Sequence, residues 1–542
     1  MKTATKLFCL LAPLSLALTS GLRADDGTWT GLGANNNWAT QLNWGDGSVA
    51  VPGSNQTATF DGAGNGQTTI NLSANLTLKA MTFTSASAAA YTIGTAPDTG
   101  GTLTWNANGQ KLLIDATVLT NQTINSKQTT TGYLNYQNDS TAASLIINGS
   151  VNFGNTGASR TVNVTGVGDV TINGIIGDPT GASADIHTVG IQHTSTGTVI
   201  LANANTFSGT VQVTGGGILA VNSLGNGGVA SSVGTSSSDA TSIRLVDSTL
   251  RYIGAGETSA RGFGIGTSGQ SAVVLQTATI DASGTGALTL NGQIAFNTNN
   301  RSRALILDGT NTGRNSLGGD LATNGSGNVT LTKQGAGTWI LAGANSYKGA
   351  TTVSAGTLLI NGNQSAATGA INVASGATLG GTGTAGGVIT LDAGAAFAAG
   401  DISEDTGATL AGTFTGTSLT WNSNGTTGGL KFDLGANDAA SDKLVLSGAF
   451  TKGAGDSFLI NLSGANASVG TTYTLATFAS TDFTLGDFSA VGTGLAGTLA
   501  LTSTVLTFTV TSIDTPGIPE PSTWTILASI AVLGVAAHFR RR

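Results

Sequence analysis

Cysteine, glutamate and charge are all scarce in this sequence. Its single cysteine, Cys9, sits inside an N-terminal apolar run. Beyond that run no disulfide, thiol nucleophile or thiolate metal site can form. The stretch Lys6-Leu7-Phe8-Cys9 lacks the small residues of a lipid-attachment box, so Cys9 carries no evident role. Charged residues are 9% of the 542, against about 25% in ordinary globular chains. The 21 Lys and Arg are thinly scattered and the net charge is −7. That excludes the clustered basic surface a phosphate backbone needs, so no nucleic-acid partner is expected. Only Glu257, Glu404 and Glu520 among the 28 acidic residues are glutamate. An aspartate-rich balance suits turns rather than long helices.

What is abundant is glycine, at 81 positions, together with Thr, Ser, Asn, Ala, Val and Leu. Such a mixture disfavours helix and favours short strands joined by tight turns. Disorder would also explain the glycine. A mean hydropathy of +0.17 with regularly placed Leu, Ile and Val supplies apolar surface that disordered chains lack.

Both ends read as addresses. Lys2 and Lys6 precede the apolar stretch Leu7 to Leu18, and small residues lead to Ala24 before Asp25-Asp26. This predicts a secretory signal peptide over 1–24, handled by the Sec translocon and signal peptidase. At the other end Pro519-Glu520-Pro521 is followed by the apolar run Trp524 to Phe539 and then Arg540-Arg541-Arg542. The prolines stop a preceding strand, the run can enter a bilayer as a transmembrane helix, and the arginines hold that end in the cytoplasm. At sixteen residues the run falls short of the roughly 17 to 25 of a stable span, which suits a weak or temporary anchor. The segment 515–542 resembles the PEP-CTERM sorting signal. The resemblance implies processing by an exosortase-like enzyme in a Gram-negative-type bacterium that makes extracellular polysaccharide. A proline-rich linker with an ordinary membrane anchor is the other reading, and it also leaves the body outside.

The body repeats itself. Gly197 to Asn222 aligns without a gap on Gly337 to Gly362, 140 residues later, matching at Ile200/Ile340, Leu201/Leu341, Asn205/Asn345, Phe207/Tyr347, Gly209/Gly349, Val213/Val353 and Leu219/Leu359. Within the second copy, Trp339 to Leu341, Ala350 to Ser354 and Thr357 to Ile360 read as three short strands. Gly343 and Asn345 supply a left-handed corner and Ala355-Gly356 a second one. Three strands with glycine corners predict one triangular rung of a right-handed parallel β-helix, its inward Leu, Ile and Val forming a continuous core. A β-sandwich shows similar turn spacing, but shared corner residues are what stacked rungs require. The segment Gly335 to Gly362 resembles the autotransporter-associated β-strand repeat. The copy at Gly197 departs from that pattern at Val199 and Gly217.

The expected organisation is all-β: a signal peptide at 1–24, a Trp/Asn-rich N-terminal cap at 25–62 and β-helix repeats at 63–400. A C-terminal β-rich cap region at 401–514 and the sorting tail at 515–542 follow. Trp29, Trp38 and Trp44, with Asn35-Asn36-Asn37, would cover the open end of the helix or, alternatively, stack on sugar rings. The membrane barrel that ends a true autotransporter has no counterpart in the roughly 110 residues before the tail.

Chemistry is sparse. Asp185, His187 and His193 form the one mid-chain grouping of acid and imidazole, a weak metal or acid–base candidate against a solvated loop. Arg301, Arg303, Asp308 and Arg314 read as a solvated face. Asp401, Glu404 and Asp405 could contact calcium but lack the tandem glycine-aspartate repeat of calcium β-rolls. No phosphate loop, nucleophile elbow or zinc motif is present, so no cofactor, metal or catalytic residue is assigned. The sequence points to an exported, non-catalytic structural or adhesive protein of the cell surface or extracellular matrix, sorted by an exosortase-type system and associated with exopolysaccharide or biofilm. The alternative is a polysaccharide-active β-helix hydrolase or lyase, whose carboxylates would assemble from distant rungs.

Overall fold

The computed structural model describes residues 26–513 apart from 48, 107–110, 155–158, 180–188, 267–274, 298–299, 403–408 and 424–427. The transmembrane helix expected at Trp524 to Phe539 and the signal peptide at 1–24 lie outside the described residues. Within them, the chain winds as a three-faced parallel β-solenoid. The first face is an 11-stranded sheet running from Gly27–Thr28 to Ile294–Phe296, resumed by a 7-stranded sheet from Asn363–Gln364. The second is one unbroken parallel ladder of 17 strands, from Thr69–Ile70 to Ser480–Thr481. The third has four strands up to Val151–Phe153, then ten from Ala255–Ser259 to Phe488–Gly492. Parallel neighbours sit about 4.8 Å apart, so the second face alone extends roughly 75 Å.

Period-2 alternation decides what points inward. On the second face one register column runs Leu145, Val170, Val199, Leu219, Leu250, Ile280, Leu307, Lys333, Val353, Val373, Leu391 and Trp421. Every member is buried. Corners use amide ladders: Asn148 Nδ2 donates to Asn125 Oδ1 and Asn173 Nδ2 to Asn148 Oδ1, each at 2.8 Å. The ladder runs from the buried Asn125 through the half-buried Asn148 to the exposed Asn173.

The repeat is built differently from the expected rung. Thr338–Leu341 and Thr357–Ile360 do not occupy two sides of one triangle; they pair with each other on the third face, while Thr351–Val353 lies on the second. One turn therefore takes twenty residues, from Leu331 to its partner Thr351, with two sides as strand and the third as the irregular segment 342–350. The earlier copy has the same length, Ile191 pairing with Val211, but its strands lie on the first and second faces. The motif has been rotated by one face.

The expected corner chemistry holds at Gly356 and fails at Gly343 and Asn345. Gly356 has φ +64°, where a side chain is strained. Neither Gly343 nor Asn345 is left-handed. Gly343 is needed for closeness instead: a Cβ there would stand 2.8 Å from Asp320 Oδ1 and 2.9 Å from the Gly318 carbonyl. Asn345 is buried, and its Oδ1 accepts the Leu321 N–H of the turn below at 2.6 Å.

Among the described residues the parallel stack continues past residue 400, beside a short antiparallel pair of Asp401–Ile402 with Thr409–Leu410. Ala396–Ala399 pairs in parallel with Gly429–Asp433, and parallel stacking continues to Phe488–Gly492. The closing structure is confined to the last hairpin, Leu495–Leu501 with Val505–Ile513, which pairs antiparallel on Thr472–Thr477. Beneath it Trp421, Phe450, Phe458, Phe483 and Phe488 pack ring on ring.

Candidate functional site

The residues singled out in the sequence do not converge. Trp29, Trp38 and Trp44 are buried to 1%, 4% and 0% exposure. They stack edge to face, 5.2 Å between Trp29 and Trp44 and 4.6 Å between Trp38 and Trp44, over Phe60. Each indole N–H is spent on a backbone carbonyl: Trp29 on Gln67, Trp38 on Pro52 and Trp44 on Trp38. Buried rings have no face to offer a sugar, so these three close the end of the solenoid. The nearby asparagines are tied in by Asn43, whose Nδ2 donates to the carbonyls of Asn35 and Asn37.

Asp185, His187, Glu404, Asp405 and the sorting residues Pro519, Glu520, Pro521, Arg540, Arg541 and Arg542 lie outside the described residues. Asp401 forms an ion pair with Arg314 at 2.6 Å. Arg303 is buried to 2% exposure, which corrects its placement on a solvated face. The strand Arg303–Asp308 pairs on both sides, so Arg303 points into the stack. Among the described residues no group of three His, Cys, Asp or Glu is placed to hold a metal.

The structure shows a set of buried donors: Lys333 and Arg261, which the sequence reading missed, and His193, which ends the strand Val189–His193 fully buried and so corrects the solvated-loop reading. Lys333 interrupts the apolar column, yet its ammonium donates to the carbonyls of Gln334, Gly335 and Ala355 at 2.7, 2.8 and 3.0 Å. Burial pulls it down to about 8. His193 stands at the equivalent place of the earlier copy, 140 residues back, in the column Val164, His193, Val213. Its Nε2 lies 3.1 Å from the Ile218 carbonyl, which can only accept, so Nε2 carries the proton. Extending the 140-residue alignment four positions upstream would have found the pair. Arg261, 1% exposed, donates to the carbonyls of Leu224, Ser236, Asn226 and Gly234, anchoring the segment 223–240.

His193 makes stability pH-dependent. Burial holds its imidazole down to about 4, opposed by backbone hydrogen bonding to Ile218 and Gly197. Because the folded value is below the usual 6.5, the unfolded chain binds the proton more readily between those limits. Stability present above about pH 6.5 is therefore lost as pH falls toward 4, by up to about 3 kcal/mol. Urea midpoints at pH 7 and pH 4.5 should diverge in the wild type more than in His193→Gln, which keeps an N–H donor without a titrating ring.

The outer surface is polar and regular. On the second face an outward column runs from Thr249 and Thr279 through Thr332, Thr352 and Asn372 to Thr390, Thr420 and Thr451, interrupted by Ile306. The third face carries an open groove of about 670 Å³ between Glu257 and Arg314.

The architecture defines a class: a parallel β-solenoid with buried polar corner locks and a hydroxyl-rich exterior. Two stretches, 194–221 and 331–360, match the family described as passenger-associated-transport-repeat, and both fall where the turns are twenty residues long. The chain is also similar to the adhesin BmaC autotransporter of Brucella suis biovar 1 (strain 1330), at 42% identity over 145 residues. That match covers 26% of this chain and 4% of the relative's length.

Proposed function

We propose that this protein is an exported, non-catalytic surface or matrix solenoid with a structural or adhesive role, in a Gram-negative-type bacterium. The observation that carries the reading is the 145-residue similarity to an autotransporter adhesin. The solenoid supports it, since a rigid rod with a repetitive, weakly charged exterior suits contact with other surfaces. The charged groups of the groove favour binding over catalysis. Glu257 accepts the backbone N–H groups of Leu224 and Gly225, and Asp401 is taken by Arg314. In this reading the Sec translocon exports the chain, signal peptidase removes 1–24, and an exosortase-like enzyme processes the tail. The body then associates with extracellular polysaccharide or biofilm.

The test separates anchoring from processing. Replacing Arg540, Arg541 and Arg542 with Ser should weaken membrane retention. Replacing Pro519, Glu520 and Pro521 with Ala should leave insertion intact and block processing. Fractionation and mass spectrometry in a host with an exosortase system give the readout. A mature wild-type chain that still carries Arg542 in the inner membrane would overturn the sorting half of the proposal. Cells that aggregate equally with and without the protein would overturn the adhesive half.

A further inference from the structure

The groove on the third face is assembled from three consecutive turns. Thr258 pairs in register with Thr289, and Thr289 with Ser316. Their side chains point outward, and neighbours in such a column stand about 4.8 Å apart along the axis. Thr285 and Thr312, from the corners before the second and third strands, add two more hydroxyls to the lining. Among the described residues none of these five hydroxyls bonds to protein. They form a row of donors and acceptors facing an open channel. Between them Gly286 and Ala287 leave the floor low and mildly apolar.

The charges at the rim are already engaged. Glu257 accepts from Leu224 N–H at 2.5 Å and from Gly225 N–H at 3.4 Å. Arg314 is paired with Asp401. A charged ligand would have to displace one of these partnerships, whereas a neutral one meets the hydroxyls and the Asn311 amide. A peptide added as an extra strand is blocked too. The free edge of Ala255–Ser259 is covered by the segment 223–228: Ser259 Oγ donates to the Gly225 carbonyl, and Ala260 N–H donates to Asn226 Oδ1 at 2.8 Å. No large apolar side chain or aromatic ring lines the groove to anchor an apolar partner.

We propose that this groove binds a neutral oligosaccharide lying along the solenoid axis, with Thr258, Thr289 and Ser316 each facing one successive sugar residue. The inference rests on the reading of the chain as an adhesive surface protein and names the ligand class of one site on it. The rise per turn is close to the length of one sugar in an extended chain. Threonine presents a hydroxyl to the sugar's edge and a methyl to its C–H face. Many neutral hydrogen bonds, each of modest net strength, give the weak binding that a rod with repeated contacts can use.

The experiment uses the full chain purified from the envelope. Its probes are neutral oligosaccharides of glucose, xylose and N-acetylglucosamine, with uronic-acid and sulfated oligosaccharides alongside, and binding is read by calorimetry. The expected result is binding of at least one neutral series, weakened at least tenfold by the triple variant Thr258→Val, Thr289→Val, Ser316→Ala. The variant Thr390→Val, Thr420→Val on the second face should bind as the wild type does, and unchanged unfolding midpoints would show that both variants fold. Lack of binding to every neutral series, a preference for the acidic probes, or equal binding by the triple variant would overturn the proposal. Aggregation of cells displaying each variant separates the two readings. If wild-type display aggregates cells while no neutral sugar binds, the groove proposal alone fails; if display causes no aggregation, the adhesive reading fails.

Discussion

Leu341→Asp is expected to abolish the native packing of the repeat, whereas Lys348→Asp, seven residues on, should be nearly silent. Leu341 is 1% exposed and pairs with Leu317 below and Ile360 above, both buried. A carboxylate there loses the leucine's contacts, worth about 2 to 5 kcal/mol in truncation series, and adds the cost of a buried polar group without a partner. The sum is on the order of a domain's whole margin. Lys348 is exposed, and its ammonium only donates to the Ala366 carbonyl at the surface, so its loss should cost less than about 0.5 kcal/mol. Stability in a solenoid is carried between neighbouring turns, so the damage should be local before it is global. Limited proteolysis near 330–370 together with urea midpoints is the suitable measurement. Equal midpoints and equal cleavage in the two variants would show that the inward and outward assignment is wrong.

That contrast could be drawn from sequence because the turns around Leu341 are short. Leu331, Thr351 and Ile371 follow one another on the second face at twenty-residue steps, and glycines mark each corner. Further on the steps lengthen: Ile389 pairs with Leu419, Leu419 with Phe450 and Phe450 with Thr481. The extra residues are inserted at corners and obscure the period without interrupting the stack. The region after 401 therefore read as a separate cap although its strands continue the same faces. Phase was hidden for a related reason. A triangular solenoid has three similar sides, so a repeat fixes the length of a turn but not the side on which it begins.

The candidate site was less legible still. Thr258, Thr289 and Ser316 are unremarkable threonines and a serine, separated by about thirty residues, and only register brings them into one column. The charged residues misled for the opposite reason. Arg303 reads as part of a solvated face and Lys333 draws no notice in the sequence, because charge ordinarily marks surface. Their backbones occupy inward positions, and Lys333 is tolerated because nearby corner carbonyls accept its protons.

Lys333 and His193 mark two solutions to one corner, and exchanging them should expose a coupling. Lys333→Met removes the partner of three carbonyls, those of Gln334, Gly335 and Ala355. Leaving such groups buried without a donor costs about 1 to 3 kcal/mol each at most, so a loss on the order of 3 kcal/mol is expected after relaxation. Lys333→His restores an N–H but brings a ring that needs width. Where His193 is native, the facing residue is Gly217, and a Cβ added there would stand 2.6 Å from the ring Nε2. The equivalent of Gly217 in the later copy is Thr357. Lys333→His alone should therefore be about as damaging as Lys333→Met, and Thr357→Gly combined with it should recover at least about 1 kcal/mol. Thr357→Gly by itself should only destabilise, since glycine weakens a strand. The four urea midpoints form a double-mutant cycle, and contacting residues of this kind couple by about 0.5 to 3 kcal/mol. Additive effects, with no recovery in the double variant, would show that Gly217 answers only to its other neighbour, the Ser195 carbonyl 2.2 Å from the same added Cβ. Recovery would establish that the ring at His193 and the glycine facing it are one unit, as the ammonium at Lys333 and its carbonyl cage are another.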